Sequence, residues 1–435
     1  MMTRRESLKV LGAGLLASAC SPLRSDGREE ITFCGFGNLG EVKALREVFA
    51  LFEEVNPKFR VRFIHIPQSY DSVLVTMMAG KKAPDVFYIS PWILSSLLAK
   101  KALLPIDDYL RSSSVLNIDE FFPATVSPYR FDGESFGRGQ TYGLCKDWSP
   151  DSLVFFNQRH FDEAGLPYPN GQWNQEEFVE TARALTQRDS KNRVSQFGVF
   201  NNCWPGQWVQ RAGGQIFSNS GDKCVIDSGS AIDGLEYSAD LSLKWAVAPG
   251  YGEQQQGTPS VMFEAGRAAM CFYGMWMVHN FQRTMPHAEW SVVLPPRQKK
   301  DVYISSSMIG YGISSATRRP DNAWRLFEFL LSPEVQSRFA RLGWNIPSNR
   351  RVAYGADFAG AKSLPSPVVK TFLDAAEKTQ LFQRSPYIEP ETFYRIFRSS
   401  WDNVLLGKSP VRNALVETAV AANQRIAMNR EGGRK

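Results

Sequence analysis

From residue 30 onward the apolar positions change period repeatedly, and each change marks an element. Residues 30–35, EITFCG, read as a strand. Val42, Leu45, Val48, Phe49 and Phe52 then recur at helical spacing, and Pro57 ends the run. Residues 59–66, FRVRFIHI, alternate strictly, which predicts a strand. Residues 69–81 read as a helix broken at Gly80, and 86–89 as a third strand. Strand, helix, strand, helix, strand is the order of a parallel sheet with helices on its faces. In such sheets ligands bind off the carboxyl ends of the strands. Phe36-Gly37-Asn38 and Ser90-Pro91-Trp92 follow the first and third strands at that edge.

The second half repeats the alternation. Residues 152–157 read as a strand and Gly165-Leu166-Pro167 as a turn. Asn174 caps a predicted helix, with Glu177 at the reciprocal position. Residues 198–214 are rich in Gly, Asn, Trp and Gln. Residues 231–245 and 261–269 read as helices, 270–274 and 290–294 as strands, and 302–315 as extended chain with a turn. Helices follow from Arg319 and Ser332, and three more from Pro365. At 435 residues, the chain is long for one core, which favours two domains.

The first twenty residues stand apart. Thr3-Arg4-Arg5-Glu6-Ser7-Leu8-Lys9 resembles a twin-arginine signal built on Arg4 and Arg5, and Leu16-Ala17-Ser18-Ala19-Cys20 resembles a lipobox. Cys20 is the expected lipidated residue, and residues 20–29 a polar tether. The apolar run 10–19 is about half of what a bilayer span needs. The pattern therefore predicts an exported, membrane-anchored lipoprotein, by either the twin-arginine or the general secretory route.

Composition narrows the classes further. Net charge is +6; Arg4, Arg5 and Lys9 against Glu6 make the leader +2, so the rest carries +4. The paired Arg318-Arg319 and Arg350-Arg351 form no basic stripe, and no nucleic-acid footprint is read. Four scattered His and five Cys beyond Cys20, without a Cys-x-x-Cys, build no local metal site, and no cofactor is expected. Cys203 and Cys224 are the closest candidates for one bridge; buried free thiols are the alternative. Aromatic residues reach 12%, and Trp92, Trp148, Trp204, Trp208 and Trp276 sit beside Gly, Pro or Ser rather than in a helical stripe. That placement suggests a surface of flat apolar faces with polar edges.

Six segments in order resemble one family. They are Ala83-Pro84-Asp85-Val86, residues 103–108 (LLPIDD), residues 153–166 (LVFFNQRHFDEAGL), Trp173–Phe178, residues 263–270 (FEAGRAAM) followed by Gly274 and Trp276, and residues 343–348 (GWNIPS). The order resembles that of the extracellular solute-binding proteins of bacterial ABC importers, in the group that binds sugars and glycerol phosphates. The resemblance implies an α/β, two-lobed periplasmic-binding-protein fold of type II character, with ligand in the cleft between hinge-joined lobes. It implies residues 30–145 and 275–350 as the first lobe, 146–274 as the second with hinge segments at both ends, and 351–435 as helices packing mainly on the second. Residues 142–157 and 270–276 are the expected crossings.

The implied work is capture without catalysis. A sugar or oligosaccharide shifts an open–closed equilibrium by touching both lobes, then passes to a membrane permease. Trp92, Trp204, Trp208, Tyr273 and Trp276 are the expected stacking platforms. Asn38, Ser90, Asp147 and Ser306 are the expected hydroxyl partners, and Trp344 the residue that closes the cleft. A monomer is expected. A glycerophosphodiester, held by helix N-termini and Ser305–Ser307, or a polyamine is the alternative ligand for the same fold. A carbohydrate-active enzyme is the rival of another class, but no carboxylate pair is singled out among Asp147, Asp151 and Glu264.

Overall fold

The computed structural model describes residues 27–432, apart from 287–289, 302, 305–306 and 381–382. Arg4, Arg5, Cys20 and Ser306 lie outside the described residues.

Nine strands build two sheets: β1 (Glu29–Gly35), β2 (Phe59–His65), β3 (Val86–Ile89), β4 (Leu144–Ser149), β5 (Leu153–Asn157), β6 (Met270–Tyr273), β7 (Trp290–Val293), β8 (Ser307–Ile313) and β9 (Ile346–Pro347). The first sheet runs β9-β4-β8-β3-β1-β2, and the second β6-β5-β7. β1 pairs in parallel with β2, from Glu29↔Phe59 to Gly35↔His65, and with β3. β8 runs antiparallel between β3 and β4. In the second sheet β6 and β7 both run antiparallel to β5.

The elements follow from local signals. Helix α1 (Leu39–Val55) starts at a capping box and buries Leu45, Val48, Phe49 and Phe52, four of the five positions that its spacing predicts. Asn174 and Glu177 form the second capping box, as their spacing predicts. β5 is buried along its whole length because both faces of its sheet are covered. Val154 and Phe156 join one core with Phe178, Trp208 and Phe272. Leu153 and Phe155 join the other, which is continuous with the core of the first sheet.

Among the described residues, chain passes from a strand of one sheet to a strand of the other at two places, and the first lies within the expected crossing 142–157. β4 leaves the first sheet and β5 enters the second through Pro150-Asp151-Ser152, with Ser152 at φ 61°. The expected crossing at 270–276 is corrected: β6 ends inside the second sheet, and β7, assigned to the first lobe, pairs with β5. The return runs between β7 and β8. Helix α2 (Trp276–Thr284), also assigned to the first lobe, packs Phe281 against Phe155 of β5 at 5.4 Å.

A third segment borders this junction. Helix α3 (Ser366–Glu377) lies against the second sheet, with Thr371 Oγ1 donating to Val292 O at 3.4 Å. The chain after it pairs Thr379 and Gln380 with Tyr303 and Ile304 of the return crossing. It then enters α4 (Pro390–Leu405) and α5 (Val411–Gly432), whose buried faces belong to the second core. Arg211, 1% exposed, holds the return crossing from the second lobe: its guanidinium donates to Pro295 O and Pro296 O and lies 5.4 Å from the Tyr303 ring.

Candidate functional site: an aromatic cleft beside the first crossing

The crossing at 149–152 gathers two tryptophans. Ser152 Oγ accepts from Trp204 N at 3.2 Å, and Ser149 Oγ accepts from Met275 N at 2.8 Å. Trp204 precedes helix Pro205–Arg211, and Trp276 opens α2. Each indole folds over a glycine. A Cβ on Gly206 would stand 1.9 Å from the Trp204 ring, and one on Gly274 would stand 2.0 Å from the Trp276 ring. Any side chain at either glycine displaces its tryptophan. Both rings are half-buried.

Trp92 comes from the first lobe, in the opening turn of helix Pro91–Ala99. Its ring meets Tyr394 of α4 at 5.6 Å, and Tyr394 meets Trp204 at the same distance from the other side. Tyr394 therefore links aromatic faces contributed by the two lobes. A cavity of about 790 Å³ opens on these rings, with Asn201, Asn202 and Glu391 among its polar lining. Its volume lies in the range of small-molecule sites. The Tyr394 hydroxyl, Asn201 Oδ1 and Ser90 Oγ are buried without a hydrogen-bond partner among the described residues. Unmade hydrogen bonds of buried groups are costly, and a polar ligand would relieve those that it reached. Burial and then the Glu391 charge hold the Asp71 carboxyl above its usual range, so two carboxylates from different elements influence each other here.

The polar lip on the first lobe is engaged with itself. Asn38 Oδ1 accepts from Gly40 N at 2.9 Å and Glu41 N at 3.1 Å, while Glu41 returns a carboxylate to Asn38 N. Asp147 pairs with Lys146 at 2.5 Å and accepts from Asn345 Nδ2 at 3.3 Å. The Lys146 ammonium lies between the Tyr88 and Phe339 rings, at 5.5 and 5.1 Å. Burial is the largest single influence on its pKa and lowers it, but the Asp147, Tyr311 and Glu41 charges and the Asp147 hydrogen bond together outweigh burial, so the pKa rises. Trp344 lies against the start of α1, where a Cβ on Gly40 would be 3.0 Å from its ring.

Other expected site residues separate from this group. Trp208 is 1% exposed and packs on Tyr237 and Phe272, at 5.2 and 5.7 Å. Its expected stacking role is corrected to core. Pro205 opens a helix that turns Trp208 inward. Trp148 is likewise buried. Tyr273 is half-buried between Phe155 and Phe281, and burial pushes its phenol up to about 12. All five described cysteines are free and buried, Cys203 and Cys224 included. Tyr394 escaped the sequence reading. It stands beside Phe393 and Phe397 in what looks like an ordinary helical core stripe, and no local signal shows which face meets the cleft.

Residues 37–337 match the model of the bacterial extracellular solute-binding protein family. The chain belongs to this family. Solved structures agree on the two-lobed fold of a solute-binding protein. An ABC substrate-binding protein of Listeria monocytogenes, in complex with cycloalternan, superposes with a TM-score of 0.78 at 22% identity, covering 92% of this chain and 99% of that one. The sugar-binding protein MalE of Xanthomonas citri gives 0.78 at 20% identity, covering 94% and 100%. A solute-binding protein of Thermotoga lettingae bound with α-D-tagatose gives 0.73 at 21% identity, covering 92% and 100%. Among curated protein sequences, no match was found. The family is extracellular, so this solute-binding protein is an exported one. No helix among the described residues is long and apolar enough to cross a membrane.

Proposed function

We propose that this solute-binding protein captures a sugar or oligosaccharide between Trp92, Trp204 and Tyr394, with Trp276, which opens α2 beside the first crossing but does not line the cavity, as a further stacking candidate, and delivers it to the permease of an ABC importer. The observation that carries the reading is the aromatic cavity, which has rings from both lobes and, in Tyr394 and Asn201, buried polar atoms without a partner among the described residues. Sugar rings offer apolar C–H faces to aromatic planes and hydroxyls to directional donors and acceptors. Three of the similar structures carry a sugar or sugar-binding description in their own right, which supports the class. A ligand that touches both lobes favours the closed state by its extra contacts there. Cys20, lipidated, and the short tether keep the protein near its membrane partner and raise the effective concentration for transfer.

Asp71 and Glu391 favour a second reading, in which the ligand carries a basic nitrogen, as a polyamine does. Titration calorimetry with neutral oligosaccharides, amino sugars, polyamines and glycerophosphodiesters separates these classes. A neutral sugar binds with affinity almost independent of salt, whereas a charged ligand weakens as salt rises. Trp204→Ala and Trp276→Ala should each weaken the best ligand about tenfold or more. Unchanged affinity in both variants would refute the cleft assignment.

A further inference from the structure

Two adjacent residues of the segment between α3 and α4 are fastened to opposite lobes. Arg384 is 7% exposed. Its Nη1 donates to Pro91 O at 2.5 Å, its Nη2 donates to Pro128 O at 2.7 Å, and its guanidinium stacks on Phe136 at 4.2 Å. Pro91, Pro128 and Phe136 all belong to the first lobe. Ser385 Oγ donates instead to Gly221 O at 2.5 Å, and Gln383 Oε1 accepts from Ile216 N at 3.1 Å; both partners are in the second lobe. Gly221 lies so close that a Cβ there would stand 2.7 Å from Pro386.

Among the described residues no carboxylate lies within 4.0 Å of Arg384. A buried guanidinium without a counter-ion is an expensive way to fasten a loop, and burial lowers its pKa to about 10. What it fastens is the backbone immediately before Trp92. The same segment leads six residues later into α4, which carries Tyr394, the ring that Trp92 contacts.

We propose that Arg384 is a positioning residue for the ligand cleft: it ties Pro91 of the first lobe to the segment that leads into α4, and so sets where Trp92 stands against Tyr394. Arg384 acts through Trp92 and not by touching ligand. The assignment rests on the cleft reading above, but its test needs no ligand, so the two fail separately.

Hydrogen exchange of the ligand-free, full-length protein reads the two anchors independently. Arg384→Met should raise exchange at 90–95 and 126–130 at least fivefold and leave 214–222 unchanged; Arg384→Lys, which keeps the charge and restores one donor, should fall between. Ser385→Ala should loosen 214–222 and spare 90–95. The near-ultraviolet circular dichroism of the Trp92–Tyr394 pair should change in Arg384→Met, and no further change should follow when Trp92→Phe is already present. Equal loosening on both sides, or no loosening at 90–95, would overturn the assignment. If Arg384→Met does not fold, the same contrast is read from Arg384→Lys against Ser385→Ala.

Discussion

The polar lip on the first lobe and the aromatic wall beside the first crossing are built on opposite principles. On the lip, Asn38 spends its polar atoms on the backbone, and Asp147 on Lys146 and Asn345, leaving Asn345 Oδ1 as the buried lip atom without a partner among the described residues. On the wall, Trp92, Trp204 and Tyr394 meet edge to face or tilted, and Tyr394, Asn201 and Ser90 keep polar atoms without partners among the described residues. A side chain already satisfied gains little from a ligand, because any new hydrogen bond replaces an existing one. An unsatisfied buried group gains the most. The comparison therefore assigns stability to the lip and affinity to the wall.

The largest expected effect falls on the lip. Lys146→Met leaves the Asp147 carboxylate nearly buried beside aromatic rings, which should cost about 3 kcal/mol of folding stability. Chemical denaturation reads it, and affinity in the folded fraction should stay within about threefold. Next, Tyr394→Ala should cost about 2 kcal/mol of binding, near thirtyfold in Kd by calorimetry, with a smaller change in melting temperature. Asn38→Ala should cost about 1 kcal/mol of stability through the lost cap, with affinity changing less than about twofold. If Asn38→Ala weakens binding more than Tyr394→Ala, the division between lip and wall is reversed. The smallest effect concerns the thiols. Burial pushes Cys203 and Cys224 up to about 12, so none of the five described cysteines should react with a thiol reagent at pH 8 until the protein is denatured.

Sequence pattern made the framework legible wherever one residue decides the local structure. Asn38 and Asn174 begin helices because each has a glutamate three residues on. The alternation of residues 59–66 does correspond to a strand, β2, although as the edge of its sheet it buries only Phe59 fully and leaves Val61, Phe63 and Ile64 partly covered. Legibility failed where long-range packing decides. Composition alone does not distinguish Trp204, at a helix start and half-exposed, from Trp208 one turn later in the core. The signal that was available is Pro205, which opens the helix and leaves Trp204 in extended backbone before it, so the two indoles do not share the one face that i, i+4 helical positions would. The return crossing was misplaced for a similar reason. Residues 270–276 carry the Gly and aromatics of a bending strand, yet Gly274 is there to make room for the Trp276 ring. Arg384 and Tyr394 gave no warning at all, because their partners lie hundreds of residues away in the chain.

The central claim is that one ligand grips rings from both lobes and draws them together. Spin labels at Lys43→Cys in the first lobe and Glu180→Cys in the second, both exposed positions, report the separation directly. With the best ligand of the panel at saturation, the distance distribution should shift to a shorter, narrower population, and Trp204→Ala should move the midpoint of that shift to about tenfold higher ligand concentration. A saturated protein whose inter-lobe distance does not change would contradict the account.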